Sequence, residues 1–181
     1  METYDGLCNK IAMMRQSFLV EGYVVSSQFQ LLEELQDEKS PNFLQDIFSL
    51  YFRDTIRQFG EIQKMIYEEA DGEHKKDMLN RFIYRLKGSV LSIGALKTLY
   101  MVNSMLQCFE EGNTEGMIAA FEQVKVENEN LRIKMEPYLE LLGQVRSYEK
   151  TDSPESQTGS SVTVEIPKSP GEVEGQSPNF L

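Results

Sequence analysis

The feature that most restricts the fold is a regular seam of large side chains late in the chain. From residue 117 to residue 142 these side chains recur at alternating steps of four and three residues. This spacing places them on one side of an α-helix that packs against other helices. The seam consists of Met117, Phe121, Val124, Asn128, Leu131, Met135, Tyr138 and Leu142. Asn113 or Thr114 is expected to cap this helix, and Pro137 is expected to kink or break it near residues 133–136.

The preceding residues show the same helical periodicity. Apolar stripes predict helices over residues 4–20, from Ser26 or Ser27, from Ser40-Pro41 to about residue 66, over residues 73–92, and from Ala95 to Gly112. The stripe that follows Ser40 carries three phenylalanines and is expected to form the main core helix. No stretch shows the alternation that is typical of a β-strand. The predicted fold is therefore all-α, an up-and-down helical bundle.

Composition limits the kinds of partner and site. The net charge of −11 disfavours binding to the phosphate backbones of nucleic acids. Cys8 and Cys108 are far apart in the sequence and fit a reducing compartment, not a disulfide framework or a zinc site. We expect no signal peptide, no membrane insertion, no metal and no cofactor.

The composition changes from Ser147 onward, where serine, proline, glycine and glutamate dominate. We therefore predict a folded domain over residues 1–146 and a disordered acidic tail over residues 147–181. The three Ser-Pro pairs of the tail are either phosphorylation sites or ordinary disordered composition. The pentapeptide Ser-Pro-Asn-Phe-Leu occurs at 40–44 and again at 177–181. It reflects coincidence, a duplicated or misjoined stretch, or a tail that competes with the start of a helix.

The predicted helix over residues 73–92 has an unusual outer face. Its apolar residues share one side, whereas Tyr84, Gly88 and Arg81 lie near the opposite side, with Arg85 and Lys87 on the flanks. A glycine inside a helix costs about 1 kcal/mol relative to alanine. Since Gly88 follows Tyr84 by one turn, we interpret it as space cleared for a docking partner. The alternative is a glycine that ends the helix or admits another backbone.

This helix carries a family resemblance. The segment from Tyr84 to Ser89, Tyr-Arg-Leu-Lys-Gly-Ser, and the segment from Ser92 to Ala95, Ser-Ile-Gly-Ala, resemble the signature of plant histidine-containing phosphotransfer proteins. In that family the helix reads His-Gln-Phe/Leu-Lys-Gly-Ser-Ser and then Ser-Ile-Gly-Ala. The histidine carries a phosphoryl group between a hybrid histidine kinase and a response regulator. The resemblance covers about residues 1–145 and implies a four-helix bundle with additional N-terminal helices.

The departures from the signature decide which members the chain resembles. Tyr84 stands at the phospho-accepting position, and Phe82 stands where many members have a second histidine. Arg85 replaces the usual glutamine and Val90 replaces a serine. The chain therefore resembles the pseudo-phosphotransfer proteins, which keep the fold without the histidine.

A tyrosine does not supply the chemistry that a phosphorelay requires. Transfer needs a neutral imidazole that attacks and then leaves readily. A phenol, with a reference pKa near 10, is almost wholly protonated at neutral pH and is a weak nucleophile. The only histidine, His74, lies ten residues before Tyr84 and outside the signature. No other catalytic constellation is recognisable, so we do not expect an enzyme.

The residues that remain suggest a binding surface. Arg81, Arg85 and Lys87 surround Tyr84 on an acidic protein, which suits the acidic pocket of a receiver domain. Together with Gly88 and Ser89, these four residues form the candidate binding site. In the alternative interpretation, the charged residues merely solubilise the helix.

The resemblance implies a monomer, in the cytoplasm and nucleus, that binds receiver domains of response regulators or hybrid histidine kinases. It would compete with active phosphotransfer proteins and damp two-component signalling of the cytokinin type. Two alternatives are an active carrier that uses His74 and a helical scaffold unrelated to phosphorelay.

Overall fold

The computed structural model describes residues 3–67 and 72–151, with side chains described as far as residue 149. Within these ranges the chain forms six helices and no strand, so the all-α prediction is confirmed. The helices are α1 (Tyr4–Val20), α2 (Ser26–Glu34), α3 (Phe43–Tyr67), α4 (Glu73–Ile93), α5 (Leu96–Glu110) and α6 (Thr114–Thr151).

Helices α3 to α6 form the predicted up-and-down four-helix bundle. Each packs against the next, and α6 also packs against α3. The predicted seam of α6 is buried from Met117 to Tyr138, and Leu142 is half-buried. The rings of Phe59 on α3 and Phe121 on α6 meet edge to face, with 6.0 Å between their centroids. Because the seam is covered by the other helices, it is the core of the bundle and offers no free surface for a scaffold partner.

The two additional N-terminal helices are joined to the bundle by aromatic and polar contacts. Phe18 on α1 lies 5.2 Å from Tyr138 and 6.2 Å from Phe29 on α2, measured between ring centroids. Arg15 donates hydrogen bonds of 2.7–2.9 Å to both carboxylate oxygens of Glu33. The hydroxyl of Tyr138 donates to the same carboxylate over 3.0 Å. These contacts connect α1, α2 and α6.

The turn between α4 and α5 places the start of α2 beside the end of α4. The amide of Val25 donates to the carbonyl of Gly94 over 2.8 Å, and the amide of Leu96 donates to the carbonyl of Tyr23 over 2.9 Å. Gly94 has φ +69°, and a Cβ there would lie 2.8 Å from the side chain of Gln28. Only glycine fits this conformation and this close approach, so Gly94 fixes how α2 meets α4.

Three local predictions need correction. The N-cap of α2 is Val25, and no side chain caps this helix, because the preceding loop is already held by its backbone bonds to the α4–α5 turn. Helix α3 begins at Phe43, since the carbonyl of Ser40 accepts from the amide of Phe43 in a preceding turn. The spacing of apolar residues in α3 also places Ile56 in the buried stripe, but its side chain is 64% exposed.

The predictions for α6 were correct in part. Asn113 caps it, because its side-chain oxygen accepts from the amide of Gly116 over 2.9 Å. The helix continues through Pro137 to Thr151, so the proline does not break it. The chain divides into units Met1–Thr151 and Asp152–Leu181. Residues 152–181, including the second copy of the pentapeptide, lie outside the described residues, and the predicted boundary at residue 146 stays a prediction.

Candidate functional site

Tyr84 lies on the outer face of α4 with its side chain 49% exposed. The opposite face of the helix supplies the core, because Leu79, Ile83, Leu86, Val90 and Ile93 are all buried. At about 100° per residue this set directs position 84 away from the bundle. The ring of Tyr84 is therefore presented to solvent, as the sequence predicted.

Gly88 and Leu91 continue the outer face beyond Tyr84. A Cβ added at Gly88 would meet nothing within 4 Å, so the position is open and α4 runs straight through it. The helix-ending interpretation of Gly88 is therefore wrong. Leu91, seven residues after Tyr84, is 48% exposed. Tyr84, Gly88 and Leu91 together form what we call the outer strip.

The three cations beside the outer strip are not equivalent. Arg81 is exposed and Lys87 is half-buried, and neither makes an ion pair with any residue that the structure describes. Arg85 forms an ion pair with Glu61 of α3, and its guanidinium lies 5.1 Å from the centroid of the Phe82 ring. Within the described part of the chain, two of the three predicted cations are therefore unpaired, and the third is neutralised by a carboxylate.

Ser89 faces α3 and belongs to the interface between the two helices. Its hydroxyl accepts a hydrogen bond of 2.9 Å from the side-chain amide of Gln58 and donates to the carbonyl of Arg85 over 3.3 Å. Gln58 is only 2% exposed. The Ser89 hydroxyl is thus used in holding α4 against α3.

The remaining chemistry-bearing residues lie away from this face or apart from one another. His74 is exposed in the first turn of α4, about 15 Å along the helix axis from Tyr84 at 1.5 Å per residue. Cys8 and Cys108 are free thiols. In residues 3–67 and 72–151 no three histidine, cysteine or acidic side chains come together as metal ligands. Nor does any helix in these ranges have the length and apolar character to cross a membrane.

Sequence reasoning missed two partners and one exposed residue. The positions of Glu61 and Gln58 opposite α4 depend on how α3 is rotated in the bundle, which periodicity does not specify to a single residue. The exposure of Leu91 could have been predicted by the same argument that placed Tyr84, because a residue seven positions later returns to the same face of a helix. Leu91 is apolar, so its residue type offered no reason to expect it on the outer face.

Comparisons with known proteins agree with the geometry. The chain is 36% identical over 143 residues to a pseudo histidine-containing phosphotransfer protein of Oryza sativa subsp. japonica, covering 78% of this chain and 90% of the relative. It is 35% identical over 121 residues to histidine-containing phosphotransfer protein 4 of Arabidopsis thaliana, covering 67% and 92%. Its fold matches the crystal structure of a histidine-containing phosphotransfer protein from maize with a TM-score of 0.69 at 28% identity, covering 77% and 99%. No family profile matches the chain.

Proposed function

Because the chain belongs to the histidine-containing phosphotransfer family, which includes pseudo members, we propose that it binds receiver domains without accepting a phosphoryl group. It competes with active phosphotransfer proteins for receivers of response regulators or hybrid histidine kinases. The result is weaker two-component signalling, of the cytokinin type in plants. The free thiols of Cys8 and Cys108 support a reducing location in the cytoplasm and nucleus, and the protein acts as a monomer in this proposal.

The observation that carries the proposal is the exposure of Tyr84 at the family's phospho-accepting position. The fold around it is kept, since the buried face of α4 is intact and the side chain points outward. The nucleophile is what has changed. A phenol is a poor acceptor at neutral pH and would be a poor donor to an aspartate. A receiver that recognises the bundle therefore binds to a position where no transfer follows.

The charge around the outer strip supports an acidic partner. Arg81 and Lys87 lie beside Tyr84 with no carboxylate partner among the described residues, although the chain as a whole carries a net charge of −11. A local basic group on an acidic protein attracts an acidic pocket through electrostatic complementarity. The exposed ring supplies the aromatic contact that often dominates an interface.

The proposal is tested by binding an isolated response-regulator receiver domain to wild-type protein and to Tyr84→Ala. We expect the alanine variant to bind about ten-fold or more weakly, because a central aromatic contact commonly contributes more than 1 kcal/mol. Its free energy of unfolding should stay within about 0.5 kcal/mol of wild type, since the ring is exposed. Titration calorimetry and urea unfolding measure the two effects.

The control variant is Ile133→Ala, which removes an exposed apolar side chain from α6. It should bind the receiver as wild type does. No binding by wild type, or equal weakening by both variants, would contradict the proposal and favour a scaffold unrelated to phosphorelay.

A further inference from the structure

The pairing of Arg85 with Glu61 separates this arginine from the other cations beside Tyr84. The two side chains are 43% and 33% exposed, so both reach the surface, although the paired oxygen, Glu61 Oε2, is covered. Arg85 directly follows Tyr84 in the chain, whereas Glu61 belongs to the neighbouring helix α3. The carboxylate of Glu61 therefore determines whether two or three positive charges are available beside the outer strip.

The pair occupies a defined place in the α3–α4 interface. Gln58 and Glu61 are three residues apart on α3, and their partners Ser89 and Arg85 are four residues apart on α4. Residues at these spacings share one helix face. The Gln58–Ser89 hydrogen bond of 2.9 Å keeps the two helices in register. Glu61 is consequently held within reach of Arg85 by the packing of the bundle.

The environment of the pair allows Arg85 to change partner. A half-exposed ion pair contributes little net free energy, because solvent screens it and two long side chains are ordered to form it. The guanidinium also lies near the ring of Phe82, a contact within α4 that does not include Glu61. An incoming carboxylate that meets the guanidinium in bidentate geometry is a competitive partner.

We propose that Glu61 sets the affinity of the outer strip for acidic partners by holding Arg85 in an ion pair. This inference rests on the proposed function and names the residue that tunes it. The partner is a receiver domain whose pocket presents clustered carboxylates. When it binds, one of these carboxylates displaces Glu61 from the guanidinium. Without a competing partner, Glu61 masks one positive charge beside Tyr84.

The proposal predicts opposite effects for the two members of the pair. Glu61→Gln removes a negative charge and frees Arg85, so the affinity for a receiver domain should rise by about three- to ten-fold at low salt. Arg85→Gln removes a cation and leaves Glu61 facing the acidic partner, so the affinity should fall by a similar factor of about three to ten. The double variant should bind within about two-fold of wild type, because the loss of the cation and the loss of the carboxylate that pairs with it offset each other.

The experiment is a calorimetric titration of an isolated response-regulator receiver domain into full-length wild type and the three variants at two salt concentrations. Glu122→Gln is the matched control, because it removes the same charge from the exposed Glu122–Lys125 pair of α6. The control should change the affinity by less than about two-fold. The affinity of Glu61→Gln should depend more steeply on salt than that of wild type, because an additional charge takes part in binding.

The outcomes separate this inference from the proposed function. If wild type binds the receiver and Glu61→Gln binds equally or more weakly, Glu61 does not tune the site, and the proposed function stands. An equal gain for Glu122→Gln also overturns the inference, because it assigns the effect to net charge. If no variant binds the receiver, the proposed function fails and the inference fails with it.

Discussion

Two arginine–glutamate pairs join neighbouring helices in residues 3–67 and 72–149, and their surroundings differ. Arg15 and Glu33 connect α1 to α2, and the carboxylate also accepts a hydrogen bond from Tyr138 of α6. Arg85 and Glu61 connect α4 to α3 beside the open position at Gly88. The exposed fractions are similar, 35% and 22% in the first pair and 43% and 33% in the second.

The difference lies in what surrounds each pair. The Arg15–Glu33 pair adjoins a cluster of aromatic rings that includes Phe18 and Phe29. Removing the Glu33 carboxylate also leaves the hydroxyl of Tyr138 without its acceptor. The Arg85–Glu61 pair borders solvent on the side where a partner would dock. The first pair therefore stabilises the attachment of the N-terminal helices, whereas in our proposal the second sets the charge beside the outer strip at little cost to folding.

The largest expected effect is a difference in stability between variants of the two glutamates, Glu33 and Glu61. Glu33→Gln leaves Arg15 without its carboxylate and weakens the Tyr138 hydrogen bond, which should lower the free energy of unfolding by about 1–2 kcal/mol. Glu61→Gln should lower it by no more than about 1 kcal/mol, because its pair is the more exposed one. Urea unfolding monitored by circular dichroism compares the variants. Equal losses would mean that the two pairs have the same structural role.

A smaller effect should appear in the pH dependence of stability. Burial, with a contribution from Glu33, raises the pKa of Tyr138 above its ordinary value. The folded protein then holds this proton more tightly than the unfolded chain. The stabilisation is therefore complete below about pH 10 and declines above it, by up to about 1.4 kcal/mol per pH unit.

Tyr138→Phe should reduce this decline, measured by urea unfolding in steps above about pH 10. It should not abolish the decline, because burial also raises the pKa of Tyr51. Arg85→Gln is the control, since it breaks the other pair and should keep the wild-type slope. A slope unchanged by Tyr138→Phe would show that the folded protein does not hold the Tyr138 proton more tightly than the unfolded chain does.

Much of the fold followed from periodicity because large apolar side chains must share a face to be buried. The seam of α6 predicted a core helix, and the stripe of α4 predicted that Tyr84 points outward. Both are borne out by the burial of Met117 to Tyr138 and by the exposure of Tyr84. Helix starts were predicted less well, because at Val25 the capping serine is replaced by backbone bonds to the distant turn at Gly94.

The sequence predicted the positions of the site residues on α4, but it did not predict their contacts with α3. Residues of one helix have known angular positions, so Gly88 and the cations could be placed beside Tyr84 from the sequence. The pairing of Arg85 with Glu61 depends on the rotation and register of two helices, which no local pattern specifies. The sequence therefore predicted three cations of equal standing, whereas the structure distinguishes Arg85 from Arg81 and Lys87.

The most direct measurement is phosphoryl transfer from a phosphorylated receiver domain to an active phosphotransfer protein in the presence of increasing amounts of this protein. Our account predicts that transfer slows as the concentration rises while this chain carries no label, because Tyr84 occupies the receiver without accepting the phosphoryl group. Tyr84→Ala should slow transfer much less. Stable label on the wild-type chain, lost in His74→Ala or Tyr84→Phe, would show that it is a working carrier and would contradict the account.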